Sequence, residues 1–161
     1  MRELTTESAE ATEALAERIG AACAGGELLV LTGELGAGKT CFVRGLARGL
    51  GCDAGAVRSP SFTLLASYAG RRTLRHFDVY FTQAAVDLAR AGLDEAVQAG
   101  EVVALEWGER FSEQLPQDRL EVALFHSEDA ITPERRRLVL SARGPRAAAL
   151  LARALPAEDA A

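Results

Sequence analysis

The strongest chemical signal in the chain is Gly33-Glu34-Leu35-Gly36-Ala37-Gly38-Lys39-Thr40, two glycines separated by four residues and followed by Lys and Thr. A glycine-rich turn of this kind aims backbone N–H groups at one point. The N-terminus of a following helix adds favourable potential for negative charge there, so the point suits a phosphate. Lys39 is the only lysine among 18 basic residues. The bias towards arginine therefore stops at the one position where a compact ammonium must reach between β- and γ-phosphates, which a planar guanidinium would not replace. With Gly at about 7% of average residues, the four fixed positions coincide by chance in well under about 1% of chains this long. The competing reading is a glycine-rich turn that binds nothing.

Other residues with chemical potential follow in chain order. Ser59-Pro60-Ser61 sits where many phosphate-loop enzymes place a segment that senses the nucleotide, although ordinary turn chemistry would also explain it. Asp78 lies within the largely apolar stretch Leu74-Arg75-His76-Phe77-Asp78-Val79-Tyr80. A buried carboxylate there needs a partner, a metal or an exposed strand end. His76, two residues away, shares its face in a strand, and a structural His76–Asp78 hydrogen bond is the competing account of both. Val102-Val103-Ala104-Leu105-Glu106 is a continuous apolar run ending in an acid, then Trp107. This fits a central parallel strand whose terminal carboxylate holds magnesium beside a phosphate loop. Arg135-Arg136-Arg137 reads as a solvated strand end, with an arginine that stabilises phosphate charge as the alternative.

The elements that must position these residues follow from periodicity. Leu28-Leu29-Val30-Leu31 is short enough for a buried strand, and Cys41 to Leu50 repeats Phe42, Val43, Leu46 and Leu50 at helical spacing. Ser8 to Cys23 puts Ala11, Leu15, Ile19 and Ala22 on one helical face, with Ser8 as cap. Phe62, Leu64 and Tyr68 alternate as in a strand, and Gly70-Arg71 turns into a second strand over Thr73 to Val79, giving a hairpin. Gln83 to Arg90 and Leu93 to Gln98 read as short helices, Leu120 to Phe125 and Arg137 to Ser141 as strands, and Arg146 to Leu155 as a final helix. Residues from about 156 to 161 should fray.

Composition bounds the rest. At 161 residues and 48% hydrophobic, the chain is expected to form one domain over residues 1–161, α/β with a mixed central sheet and flanking helices. No apolar stretch approaches the roughly 20 residues of a membrane helix, and the N-terminus has no signal-peptide core, so a cytoplasmic location is expected. Cys23, Cys41 and Cys52 form neither an even disulfide set nor a metal-ligand spacing, and read as small core fillers without disulfides. A net charge of −5 opposes a broad nucleic-acid surface.

Taken together, Gly33 to Thr40, Ser-Pro-Ser-Phe-Thr-Leu (59–64), His-Phe-Asp-Val-Tyr (76–80) and Glu106-Trp107 resemble the TsaE (YjeE) family, small ATPases of bacterial tRNA threonylcarbamoyladenosine biosynthesis. The resemblance covers nearly the whole chain. It implies a single-domain P-loop NTPase fold, ATP and Mg²⁺ as cofactors, and partner subunits forming a threonylcarbamoyl-transfer complex that acts on adenosine next to the tRNA anticodon. It further implies that Leu35, Gly36, Ala37, Gly38 and Lys39 cradle the phosphates, and that Thr40 and Glu106 hold magnesium. Asp78 would assist hydrolysis, Ser59 and Ser61 would sense the nucleotide, and Trp107 would lie near it. Three positions depart from the family pattern: Cys41 for Thr, Phe81 for an Arg after Asp-x-Tyr, and Gly108 for Pro.

The alternative function is a stand-alone small-molecule or nucleotide kinase using the same loop. No insertion for an arginine-rich lid or an acceptor pocket is evident between the loop and Glu106. A GTPase is disfavoured because the chain contains no asparagine and so lacks the Asn-Lys-x-Asp loop that reads guanine.

Overall fold

In the computed structural model, residues 1–81, 89, 91–128 and 131–157 are described. Seven strands form one sheet: β1 (Arg2–Thr6), β2 (Leu28–Thr32), β3 (Leu65–Tyr68), β4 (Leu74–Asp78), β5 (Val102–Glu106), β6 (Arg119–His126) and β7 (Arg136–Arg143). Their spatial order is β1-β7-β6-β2-β5-β4-β3. Neighbours among β6, β2, β5 and β4 run parallel, while β7, β1 and β3 join antiparallel at the two sides. The mixed α/β architecture read from the sequence is therefore present.

The apolar runs at 28–31 and 102–105 are continuous because both faces of these central strands are covered. Leu29 and Leu31 of β2, with Val102 and Ala104 of β5, join one core beneath α1 (Ala9–Ala22), α2 (Lys39–Gly49) and α4 (Pro145–Ala154). Leu28, Val30, Val103 and Leu105 point the other way. They pack with Leu93 and Ala96 of α3 (Leu93–Gln98) and with Phe111 of a short 3₁₀ turn, Gly108–Phe111.

Helix α2 is held against α1 almost backbone to backbone. A Cβ on Gly45 would lie 2.1 Å from the Glu13 carbonyl oxygen, and one on Gly20 would lie 2.4 Å from that of Leu46. Arg44 and Arg48 then reach Glu13 at 2.9 and 3.0 Å. Burial raises the Glu13 carboxyl, but its bonds to the two guanidinium groups outweigh this and hold it below its ordinary pKa. This contact fixes the helix whose first residues are Lys39 and Thr40.

Two local readings change. The first strand of the hairpin starts at Leu65, because Leu64 adopts φ 67° and Phe62 is 93% exposed. An alternating pattern cannot report a left-handed residue within it. The N-terminal strand β1 is an addition; with Leu4 as its one large aliphatic side chain, it gives no periodic signal, and its pairing with β7 sets it in the sheet. The helix expected over Gln83 to Arg90 and the last four residues of the tail fall, apart from Ala89, outside the described residues.

Candidate functional site

Strand β2 delivers the chain at Thr32 to the turn 33–38, and α2 leaves from it. Gly36 and Gly38 have φ 79° and 105°, which glycine adopts without strain. Gly33 is constrained by space as well, since a Cβ there would sit 2.5 Å from the Leu124 carbonyl oxygen of β6. The turn is closed by Ala37 N–H donating to Glu34 O at 3.0 Å. Lys39 is buried, and its ammonium donates to Gly33 O at 2.6 Å and Glu34 O at 2.9 Å. It also lies 3.9 Å from the centre of the Trp107 ring. Burial lowers the Lys39 pKa, and the charges of Glu106, Glu109 and Asp78 oppose that shift.

Two strand ends bring the acids alongside. Parallel pairing sets Asp78 of β4 level with Glu106 of β5, and Glu106 level with Leu31 of β2. All three strands end at the same height, where a ligand crevice forms in open α/β sheets. Thr40 Oγ1 donates to Glu106 Oε1 at 2.9 Å. The sequence-predicted magnesium pair is thus in contact, although its members are 66 residues apart. Asp78 is 1% exposed. Its Oδ2 accepts hydroxyl hydrogen bonds from Ser59 and Ser61, both at 2.8 Å, and its Oδ1 accepts the Tyr80 N–H at 2.9 Å. Ser59 and Ser61 are therefore tied to the carboxylate and are more than turn formers.

The structure corrects the proposed His76–Asp78 bond. His76 is fully buried and its Nε2 lies 2.8 Å from Glu106 Oε1, so the histidine serves the neighbouring strand. Both side chains share a face, but Asp78 is already engaged from outside the sheet. Arg136 is a second correction. Arg135 and Arg137 pair with Glu7 and Glu3 at the surface, whereas Arg136 donates to the Ala37 carbonyl at 3.0 Å and to that of Gly36 at 3.4 Å. It thus ties the phosphate turn to β7, and no pattern in a run of three arginines distinguishes the middle one.

Trp107, at φ 64°, follows Glu106 directly; its N–H donates to Leu31 O at 3.2 Å and its ring meets Tyr80 at 4.9 Å. Phe81 stacks on Phe62 at 5.2 Å with an interplanar angle of 18°. Cys23, Cys41 and Cys52 are free; Cys23 and Cys52 are buried, whereas Cys41 is only partly so. Among the described residues no three His, Cys, Asp or Glu side chains converge on one point. Beside the turn, the Thr40 hydroxyl and the Glu106 carboxylate are the pair in contact. That small set suits magnesium, which keeps waters and phosphate oxygens as its other ligands. No helix among the described residues is long and apolar enough to cross a membrane.

A glycine-rich turn leading from a central parallel strand into a helix, with acids at the ends of adjacent strands, defines the P-loop NTPase fold. The comparisons narrow this further. The family described as "Threonylcarbamoyl adenosine biosynthesis protein TsaE" matches residues 6–137. The tRNA threonylcarbamoyladenosine biosynthesis protein TsaE of Bacillus subtilis is 40% identical over 126 residues, 77% of each chain. That of Treponema pallidum is 48% identical over 99 residues, 62% of this chain and 73% of the relative. That of Streptomyces coelicolor is 35% identical over 136 residues, 82% of this chain and 90% of the relative. The crystal structure of Bacillus subtilis YdiB superposes with a TM-score of 0.76 at 33% identity, covering 94% of this chain and 92% of that one. The chain belongs to the TsaE family, and its role is in tRNA threonylcarbamoyladenosine biosynthesis.

Proposed function

We propose that the chain is an ATPase subunit that binds ATP with Mg²⁺ and hydrolyses it to drive a partner complex that installs threonylcarbamoyl on tRNA. The observation that carries this reading is the levelling of three functions at the sheet's carboxyl edge: the turn with Lys39, the Thr40–Glu106 pair at 2.9 Å, and the buried Asp78 carboxylate.

Each residue's part follows from its chemistry. N–H groups of residues 35 to 39 and the Lys39 ammonium hold the phosphates, since charge-assisted bonds to phosphate oxygens are roughly twice as strong as neutral ones. Thr40 and Glu106 would hold magnesium, which would supply neutralisation of the charge developing on the transferred phosphoryl group. Asp78 orients the attacking water or accepts its proton while the terminal P–O bond breaks to give ADP. Ser59 and Ser61, bonded to that same carboxylate, report its state to the segment that precedes β3.

The work of hydrolysis is spent on partners. A nucleotide site with no acceptor of its own has biological effect only if nucleotide state changes affinity for something else, and linkage makes the partner alter turnover in return. The acidic balance supports contact with tRNA through partners. Reconstitution with and without the transfer complex, following ADP release and modified tRNA together, tests the reading. Slow ATP hydrolysis alone, raised by the complex and accompanied by repeated modification, is the expected result. Fast transfer of phosphate to a small molecule without partners would overturn it in favour of a kinase.

A further inference from the structure

We infer that His76 is a positioning residue for the magnesium site, holding the Glu106 carboxylate through its Nε2–H. The inference rests on the proposed Mg²⁺ role of Glu106 and adds a fully buried residue to it. His76 pairs in register with Ala104 of β5, so Glu106 is one same-face step further along that strand. The imidazole spans the step and brings Nε2 to 2.8 Å from Oε1.

The rest of the ring shows what the histidine is for. Its other nitrogen, Nδ1, is buried without a hydrogen-bond partner among the described residues. The hydrogen bond the ring makes is thus the one to Glu106. A carboxylate can only accept, so in the neutral ring the proton sits on Nε2. Among the described residues, both side-chain hydrogen bonds of Glu106, from His76 and from Thr40, fall on Oε1. Two donors on one oxygen fix the carboxylate plane and leave Oε2 for a cation. With its proton turned to Glu106, Thr40 Oγ1 keeps its lone pairs for the same cation. Losing a residue that holds a metal-ligating side chain in this way commonly lowers metal affinity by about 10–100-fold.

The test is a magnesium titration of ADP binding, read by calorimetry, on the whole chain and on His76→Gln, His76→Asn and His76→Leu, with a thermal melt of each. Gln places an amide N–H where Nε2 stands, whereas Asn stops a bond short and Leu has no donor. Magnesium affinity should stay within about threefold of the parent in Gln and fall by about 10–100-fold in Asn and Leu. Metal-free ADP affinity should be unchanged in all three. If Asn and Leu keep the parent's magnesium dependence, or lose only melting temperature, His76 is a packing residue and the inference fails. A cycle with Glu106→Gln decides the case even where a single variant is unstable. If His76 acts through Glu106, His76→Leu adds no further loss of magnesium dependence in that background, and an additive loss overturns the idea. Should the parent itself show no magnesium dependence, the reading of Glu106 as a metal ligand fails first.

Discussion

Replacing Asp78 by Asn separates catalysis from architecture more sharply than any other single change. The carboxylate accepts three hydrogen bonds: Ser59 and Ser61 at Oδ2 and Tyr80 N–H at Oδ1. An asparagine can keep all three contacts. Its oxygen takes the place of Oδ1, and its NH₂ group donates to the two serine oxygens, whose hydroxyl protons rotate away. What disappears is charge. A hydrogen bond to a charged group contributes about 1.5–3 kcal/mol against about 0.5–1.5 for a neutral one, so three contacts lose roughly 3–4 kcal/mol together. Relief from burying an ion offsets much of that loss. A net destabilisation of about 1–2 kcal/mol corresponds to a melting temperature lower by about 2–8 °C in a chain of this size. Loss of a group that handles the proton of the attacking water lowers turnover by about 10²–10⁴-fold. The prediction is therefore a folded Asp78→Asn protein that binds ATP within about threefold of the parent by calorimetry and whose partner-stimulated ADP release nearly vanishes. Turnover within about fivefold of the parent would refute the catalytic role, and loss of folding together with ATP binding would make Asp78 a structural tie for the 59–61 segment.

Lys39→Ala should abolish measurable nucleotide binding in calorimetry, because the only ammonium in the turn is lost, and unchanged affinity would count against the site itself. Glu106→Gln should keep nucleotide but shift its magnesium dependence to higher concentration, measured by titrating the metal at fixed ADP. Gly45→Ala places a methyl 2.1 Å from a backbone oxygen that cannot rotate aside, so the melting temperature should fall by at least about 6 °C, a cost of about 3 kcal/mol; a melt unchanged from the parent would disprove the close α1–α2 contact. Burial, reinforced by the nearby Glu27 charge, pushes the Cys23 thiol from 9.0 up to about 12. The folded chain therefore keeps this proton while the unfolded chain loses it, and the stability present below about pH 9 declines at up to about 1.4 kcal/mol per pH unit as pH rises towards the native value. Denaturant melts of the parent and Cys23→Ala across pH 8 to 10 should show the shallower decline in the variant.

Much of the site was legible in the sequence because it is local. The turn, its flanking strand and helix, and the acid at the end of an apolar run lie within short windows where period and residue type carry the signal. The partner of each acid was not legible, because a partner is chosen by register between strands far apart in sequence. A bond between His76 and Asp78, same-face neighbours on one strand, was the competing account of both. The parallel register with β5 gave His76 to Glu106, and the segment before β3 gave Asp78 to two serines. Arg136 was hidden for a related reason, since its value depends on where β7 starts relative to the phosphate turn.

That register also explains how one end of the site can answer the other. Lys39 lies over Trp107, Trp107 packs on Tyr80, and the Tyr80 N–H is held by Asp78. Lys39 opens α2, Trp107 and Tyr80 follow the ends of the adjacent strands β5 and β4, and Tyr80 is two residues beyond Asp78, so these contacts run along the sheet edge. Phe62 comes directly after Ser61 and is 93% exposed, while Leu64 holds a left-handed backbone two residues on. Such a conformation costs about 1–3 kcal/mol in a non-glycine residue, so the segment tied to the acid is among the easiest parts of this edge to rearrange. On the proposed reading, sensing and hydrolysis share one carboxylate, so Asp78→Asn is expected to disturb both.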